Sequence, residues 1–133
     1  MKLLDFLMYY LTLYFVKRPQ ALSWSSPEQR AIYGLSLITT SWLMALEFGF
    51  FILFFRNISS DYLLLNVIVA LGLMRIYNYI YVDRKRLDLL RASGFNFFNL
   101  NDNICIAIAC IALLVSFGLP FAVLILNMPA VHK

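Results

Sequence analysis

The stretch from Ala31 to Phe55, AIYGLSLITTSWLMALEFGFFILFF, constrains the chain more than any other. It holds 25 residues and one charged side chain, Glu47. As a helix rising 1.5 Å per residue it is roughly 37 Å long, enough to cross the ~30 Å hydrocarbon core of a bilayer with some tilt. Apolar residues are 62% of the 133-residue chain and charged ones 14%. A water-soluble domain of this size could not hide so much apolar surface. The fold expected is all-α: an integral membrane protein forming one domain, with three transmembrane helices and an N-terminal interfacial amphipathic helix.

Residues 1–16 are apolar but too short to span. They resemble a signal peptide with Ala21-Leu22-Ser23 as the cleavage site, but Asp5 interrupts the apolar run and Lys17-Arg18-Pro19 precedes the site, so the segment reads as retained. Lys2, Asp5, Tyr9 and Thr12 fall at helical spacing and form a narrow polar stripe. This helix is expected in the membrane interface or docked against the spans, with Tyr9, Tyr10 and Tyr14 at headgroup level. A basic linker follows, with Trp24 as an interfacial anchor.

Ser26-Pro27-Glu28-Gln29 is a helix start, with Ser26 as N-cap, Pro27 at the first helical position and Gln29 placed for a capping box. The first span runs over 27–55. The second, over 61–93, carries Asn66, Arg75 and Asn78. Tyr77, Tyr79 and Tyr81 form an aromatic belt at its end, and the helix continues through Asp83-Arg84-Lys85-Arg86 to a stop at Gly94. Phe95, Phe97 and Phe98 dip toward the interface from the next loop. Asn101 or Asp102 caps the third span, 104–126. Cys105, Ala109, Ala112 and Ser116 give that span a small-residue face suited to close helix packing. Gly118 and Pro120 predict a kink, with the carbonyl of Ser116 released by the missing proline N–H.

Orientation follows from the positive charges. Lys2, Lys17, Arg18 and Arg30 precede or open the first span; Arg84, Lys85, Arg86 and Arg91 follow the second. These eight lie on one side, against Arg56 and Lys133 on the other, with Arg75 inside a span. The positive-inside rule puts the N-terminus in the cytoplasm and the C-terminus on the opposite side. The net charge of +4 is thus accounted for by topology, and no nucleic-acid partner is expected.

Glu47 and Arg75 are the candidate site residues, because ionisable groups inside spans are costly and face a bundle interior or a water cavity. Antiparallel helices make their side chains lean toward each other, but span edges put them about 13 Å apart along the axis. Ser116 offers Glu47 a second partner through its free carbonyl. Both charges also have plain readings: Ser36, Thr40, Leu43 and Glu47 make a packing stripe, and Arg75 can snorkel to headgroups. The cysteines, Cys105 and Cys110, point about 140° apart on a helix and cannot bridge one another. A single histidine, His132, leaves no metal or cofactor site, and no nucleophile–base pair or phosphate-binding glycine loop is present, so no enzyme is expected.

The segments YYLTLYFVKRP and SSPEQRAIYGLSL, followed by two spans joined by a basic stretch, resemble a group of small three-span membrane proteins of Bacteroidota-type bacteria. That group has no assigned activity. The resemblance implies a bacterial inner-membrane location and no site residues. The functional expectation is an accessory or interaction subunit, partnered by the bilayer and by other membrane subunits or copies of itself. The alternative is a homo-oligomeric ion or proton pore lined by Glu47 and Arg75.

Overall fold

A computed structural model describes residues 2–18, 25–54, 61–94 and 99–127. Trp24, the turn at Arg56, the loop phenylalanines Phe95, Phe97 and Phe98, His132 and Lys133 lie outside the described residues. In order, the elements are α1 (Lys2–Lys17), α2 (Pro27–Phe54), α3 (Asp61–Asn78), a π-helical turn (Tyr79–Asp83), α4 (Arg86–Ala92) and α5 (Asp102–Asn127). Among the described residues, three helical stretches are long and apolar enough to cross a membrane: Pro27–Leu53, Leu64–Asp83 and Asp102–Leu126.

The helix ends are built by local chemistry. The Ser26 amide donates to Gln29 Oε1 (3.1 Å) and the Gln29 amide donates to Ser26 Oγ (3.2 Å), a reciprocal capping box that satisfies two donors α2 would otherwise leave open. Asn101 caps α5: its side-chain oxygen accepts from the Asn103 amide, and its carbonyl accepts from Ile104 and Cys105. Gly94, at φ +62°, stops the chain just beyond α4, where the left-handed conformation costs a residue without a Cβ little.

The long helix expected over 61–93 is broken. The Arg84 amide bonds back five residues to Tyr79, the Lys85 amide bonds back three to Val82, and Lys85 takes a left-handed φ of 52°. A left-handed non-glycine residue costs about 1–2 kcal/mol. Contacts made beyond the break, described below, offset that cost.

Helix α2 is the hub. α3 and α5 both pack on it and scarcely touch each other, while α1 packs on α2, α5 and α4. α1 lies at the end where α2 begins, α3 finishes and α5 begins. Asp5 reaches the α3–α4 junction and Lys17 Nζ reaches Asn103 Oδ1 at 3.0 Å. The rise between Asp5 and Lys17 is about 18 Å, close to two helix–helix spacings of ~8–10 Å. α1 is therefore a crossbar tying α2 and α5 to the α3–α4 junction. Gly34 marks the crossing: a Cβ there would meet Leu113 at 3.2 Å and Leu11 at 3.4 Å.

The core sits under this crossbar. Phe6, Leu7, Met8, Tyr10 and Leu11 pack with Leu35, Ile38, Tyr81, Leu87 and Cys105. The expectation for α1 left interface and docking both open; α1 is docked, and its polar stripe faces inward. Asp5 and Thr12 are buried, Tyr9 is half-buried and Lys2 alone is exposed. The aromatic belt also divides, since Tyr77 and Tyr81 are buried and Tyr79 faces out. Tyr77 and Tyr81 lie on one face, their rings 6.4 Å apart.

Candidate functional site

Four polar features stand out along the bundle. The first was not singled out from sequence as a site. Asp5 is buried, and its carboxylate accepts from Arg86 Nε (2.8 Å), Arg86 Nη2 (2.7 Å) and Tyr81 OH (3.0 Å). Burial pushes the Asp5 carboxyl up, but the bonds from Arg86 and Tyr81 outweigh it and hold the group below the usual carboxylate range. A bidentate guanidinium is what makes a buried carboxylate affordable. The break at Arg84-Lys85 turns the chain so that Arg86 can meet Asp5, which a continued helix would not do. The only sequence signal was an acid inside an apolar helix. Nearby, Arg91 Nη2 bonds Glu28 Oε1 at 2.9 Å and fastens α4 to the start of α2.

The second is Glu47. It is half-buried, and Oε2 accepts from Asn66 Nδ2 of α3 at 2.9 Å. Arg75 lies nine residues beyond Asn66, about 14 Å further along α3. Glu47 and Arg75 are thus not brought together. Of the stripe beside Glu47, Ser36 and Thr40 are buried and Leu43 is exposed. Ser36 Oγ donates to the Ile32 carbonyl at 2.8 Å.

The third is Ser116. Its hydroxyl accepts from Trp42 Nε1 at 2.8 Å, a bond between α2 and α5. The partner expected for Ser116, Glu47, is on Asn66 instead. On the same face of α5, Cys105 and Ala109 are fully buried and Ala112 packs against the core. Cys110 is half-buried, and both cysteines are free. Pro120 is buried within α5 and Gly118 is exposed, and the helix runs through both to Asn127.

The fourth is Arg75. It is exposed and has no hydrogen bond or ion pair among the described residues. It lines an open cleft of about 350 Å³ between α2 and α3, at the crossbar end, with Gln29, Tyr33, Leu71, Met74 and Asn78.

Among the described residues, no three His, Cys, Asp or Glu side chains gather as a metal site. The arrangement supplies helix-to-helix hydrogen bonds, one buried ion pair and one unpaired cation in a cleft. Compared with known proteins, the chain matches no family model, no curated protein and no solved structure.

Proposed function

We propose that this chain is a small non-enzymatic integral membrane protein acting as an accessory or interaction subunit of a membrane complex. One observation carries the reading. The candidate spans of α3 and α5 are each only 17% buried within the chain, against 39% for α2. Leu64, Val67 and Ile68 of α3, and Leu114, Phe121 and Ile125 of α5, are left exposed. Lipid covers such faces at no hydrophobic cost, and partner helices cover them with added packing. A bacterial inner-membrane location, with the N-terminus cytoplasmic, is supported by the eight-to-two division of positive charge.

The test is native mass spectrometry of the protein extracted in mild detergent from its own membrane. A complex dominated by a different polypeptide is the expected result. A monomer without a partner would overturn the reading.

A second reading, a homo-oligomeric ion or proton pore using Glu47 and Arg75, is favoured by the exposed, unpaired Arg75. Three spans enclose no pathway alone, so it requires a mass in repeats of this chain. It also requires that Glu47→Gln abolish flux in proteoliposomes while assembly persists. Flux surviving that substitution removes Glu47 from the path.

A further inference from the structure

Arg75 poses an energetic problem that its own chain does not solve. It stands eight residues before Asp83, about 12 Å along the helix from the end of the candidate span. An uncompensated cation at such a position is costly. Of the acids at this end, Asp5 holds Arg86 and Glu28 holds Arg91, and Asp83 stands about 12 Å along the helix from Arg75. Glu47 is held by Asn66, at the other end of α3.

The cleft around Arg75 is graded in polarity along the helix axes. Gln29 lies in the first turn of α2 and Asn78 closes α3, so amides form the mouth at the crossbar end. Tyr33 and Arg75 come next, over the buried Ile32. Met74 and then Leu71 form the apolar end farther from the crossbar, and Leu71 is 60% exposed. Its volume of about 350 Å³ falls at the small-ligand end of the range for pockets, ~300–1,000 Å³. An anion with an apolar tail, entering from the side with its head toward the basic end, matches this order. A soluble anion uses the mouth and leaves Leu71 and Met74 unmatched.

We propose that the α2–α3 cleft binds an anionic glycerophospholipid of the leaflet at the basic end. Its phosphate pairs with Arg75 beside Gln29 and Asn78, and an acyl chain lies over Met74 and Leu71. Basic pockets between spans on the cytoplasmic side commonly hold anionic headgroups. The site rests on the membrane-inserted reading and goes beyond it, naming the ligand class and the residue that selects it.

The test uses the full chain in mild detergent, titrated with phosphatidylglycerol or with phosphatidylcholine of the same acyl chains, and read by native mass spectrometry. A one-to-one phosphatidylglycerol adduct that resists collisional activation is expected, with phosphatidylcholine lost first. Arg75→Gln is expected to raise the lipid concentration for half-occupancy about tenfold, the scale of one charge-assisted bond. Arg75→Lys should retain most of the binding. Arg84→Gln, a basic residue outside the cleft, should leave it unchanged. Leu71→Trp, at an already exposed position, should weaken binding by filling the apolar end without touching the charge.

Equal retention of the two lipids, or wild-type binding by Arg75→Gln, would overturn the site. Displacement of the lipid by glycerol phosphate alone would overturn the lipid assignment in favour of a soluble phosphate. A chain recovered in the soluble fraction would sink the membrane reading before any lipid is added, so the two failures are distinguishable.

Discussion

The two ends of the bundle are built differently. At the crossbar end, polar bonds join elements far apart in sequence: Asp5 to Tyr81 and Arg86, Glu28 to Arg91, Lys17 to Asn103. They surround a core of fully buried aromatic and aliphatic side chains. Further along, Trp42–Ser116 joins α2 to α5 and Glu47–Asn66 joins α2 to α3. Along their length, α3 and α5 turn broad apolar faces outward. The difference separates two tasks. One end holds the fold, and the outer faces of the long helices are left uncovered by the chain itself. In a bilayer, packing and polar bonds are what distinguish a closed bundle from loose helices, so the end that has both should be the stable one.

The sharpest way to break this comparison is Asp5→Ala. Removing the acid strands Arg86 and the Tyr81 hydroxyl. A fully buried pair loses about 3–5 kcal/mol when broken, and because the Arg86 side chain is 37% exposed, a loss of about 2–3 kcal/mol is expected. Unfolding in mixed micelles with increasing SDS measures it. A double substitution of Asp5 and Arg86 by leucine should recover part of the loss, since no buried charge is then left alone.

The same pair sets an acid limit. The Asp5 carboxyl is lower in the folded state than in the unfolded chain, so its contribution is complete above the unfolded value of about 4. It is lost as pH falls through the folded value. Stability should therefore be flat from pH 7 to about 5 and then decline, and Asp5→Asn should remove its share of the decline. An equal acid dependence in that variant would assign the transition to other carboxylates.

A smaller effect is expected at the α2–α5 contact. Trp42→Phe and Ser116→Ala should each cost about 1 kcal/mol, and the double variant should cost little more than either, because one bond is lost in all three. The smallest change is expected from Glu47→Gln. An amide oxygen can still accept from Asn66, so stability should shift by less than about 0.5 kcal/mol. A Glu47→Gln loss as large as that of Asp5→Ala would invert the comparison and make Glu47 a second anchor.

Much of this organisation is legible in the chain itself. The apolar runs show where three long helices lie, since their length and scarcity of charge are direct consequences of composition. Ser26 with Gln29, Asn101 and Gly94 show where helices begin and end, because capping joins residues two to four apart. The fate of the buried charges is not legible in the same way. Asp5 meets Arg86 across 81 positions, Trp42 meets Ser116 across 74, and Glu47 chooses Asn66 over Arg75 by a register of about 14 Å along α3. The stripe on α1 shows a polar face but not whether it turns to water or to Tyr81 and Arg86. The break at Arg84-Lys85 has no glycine or proline to announce it, and just beyond it Arg86 meets Asp5. Sequence alone determined the three long apolar helices and their caps, whose bonds are local. Only the tertiary structure decided which charges pair, because that depends on how rigid helices are set against one another.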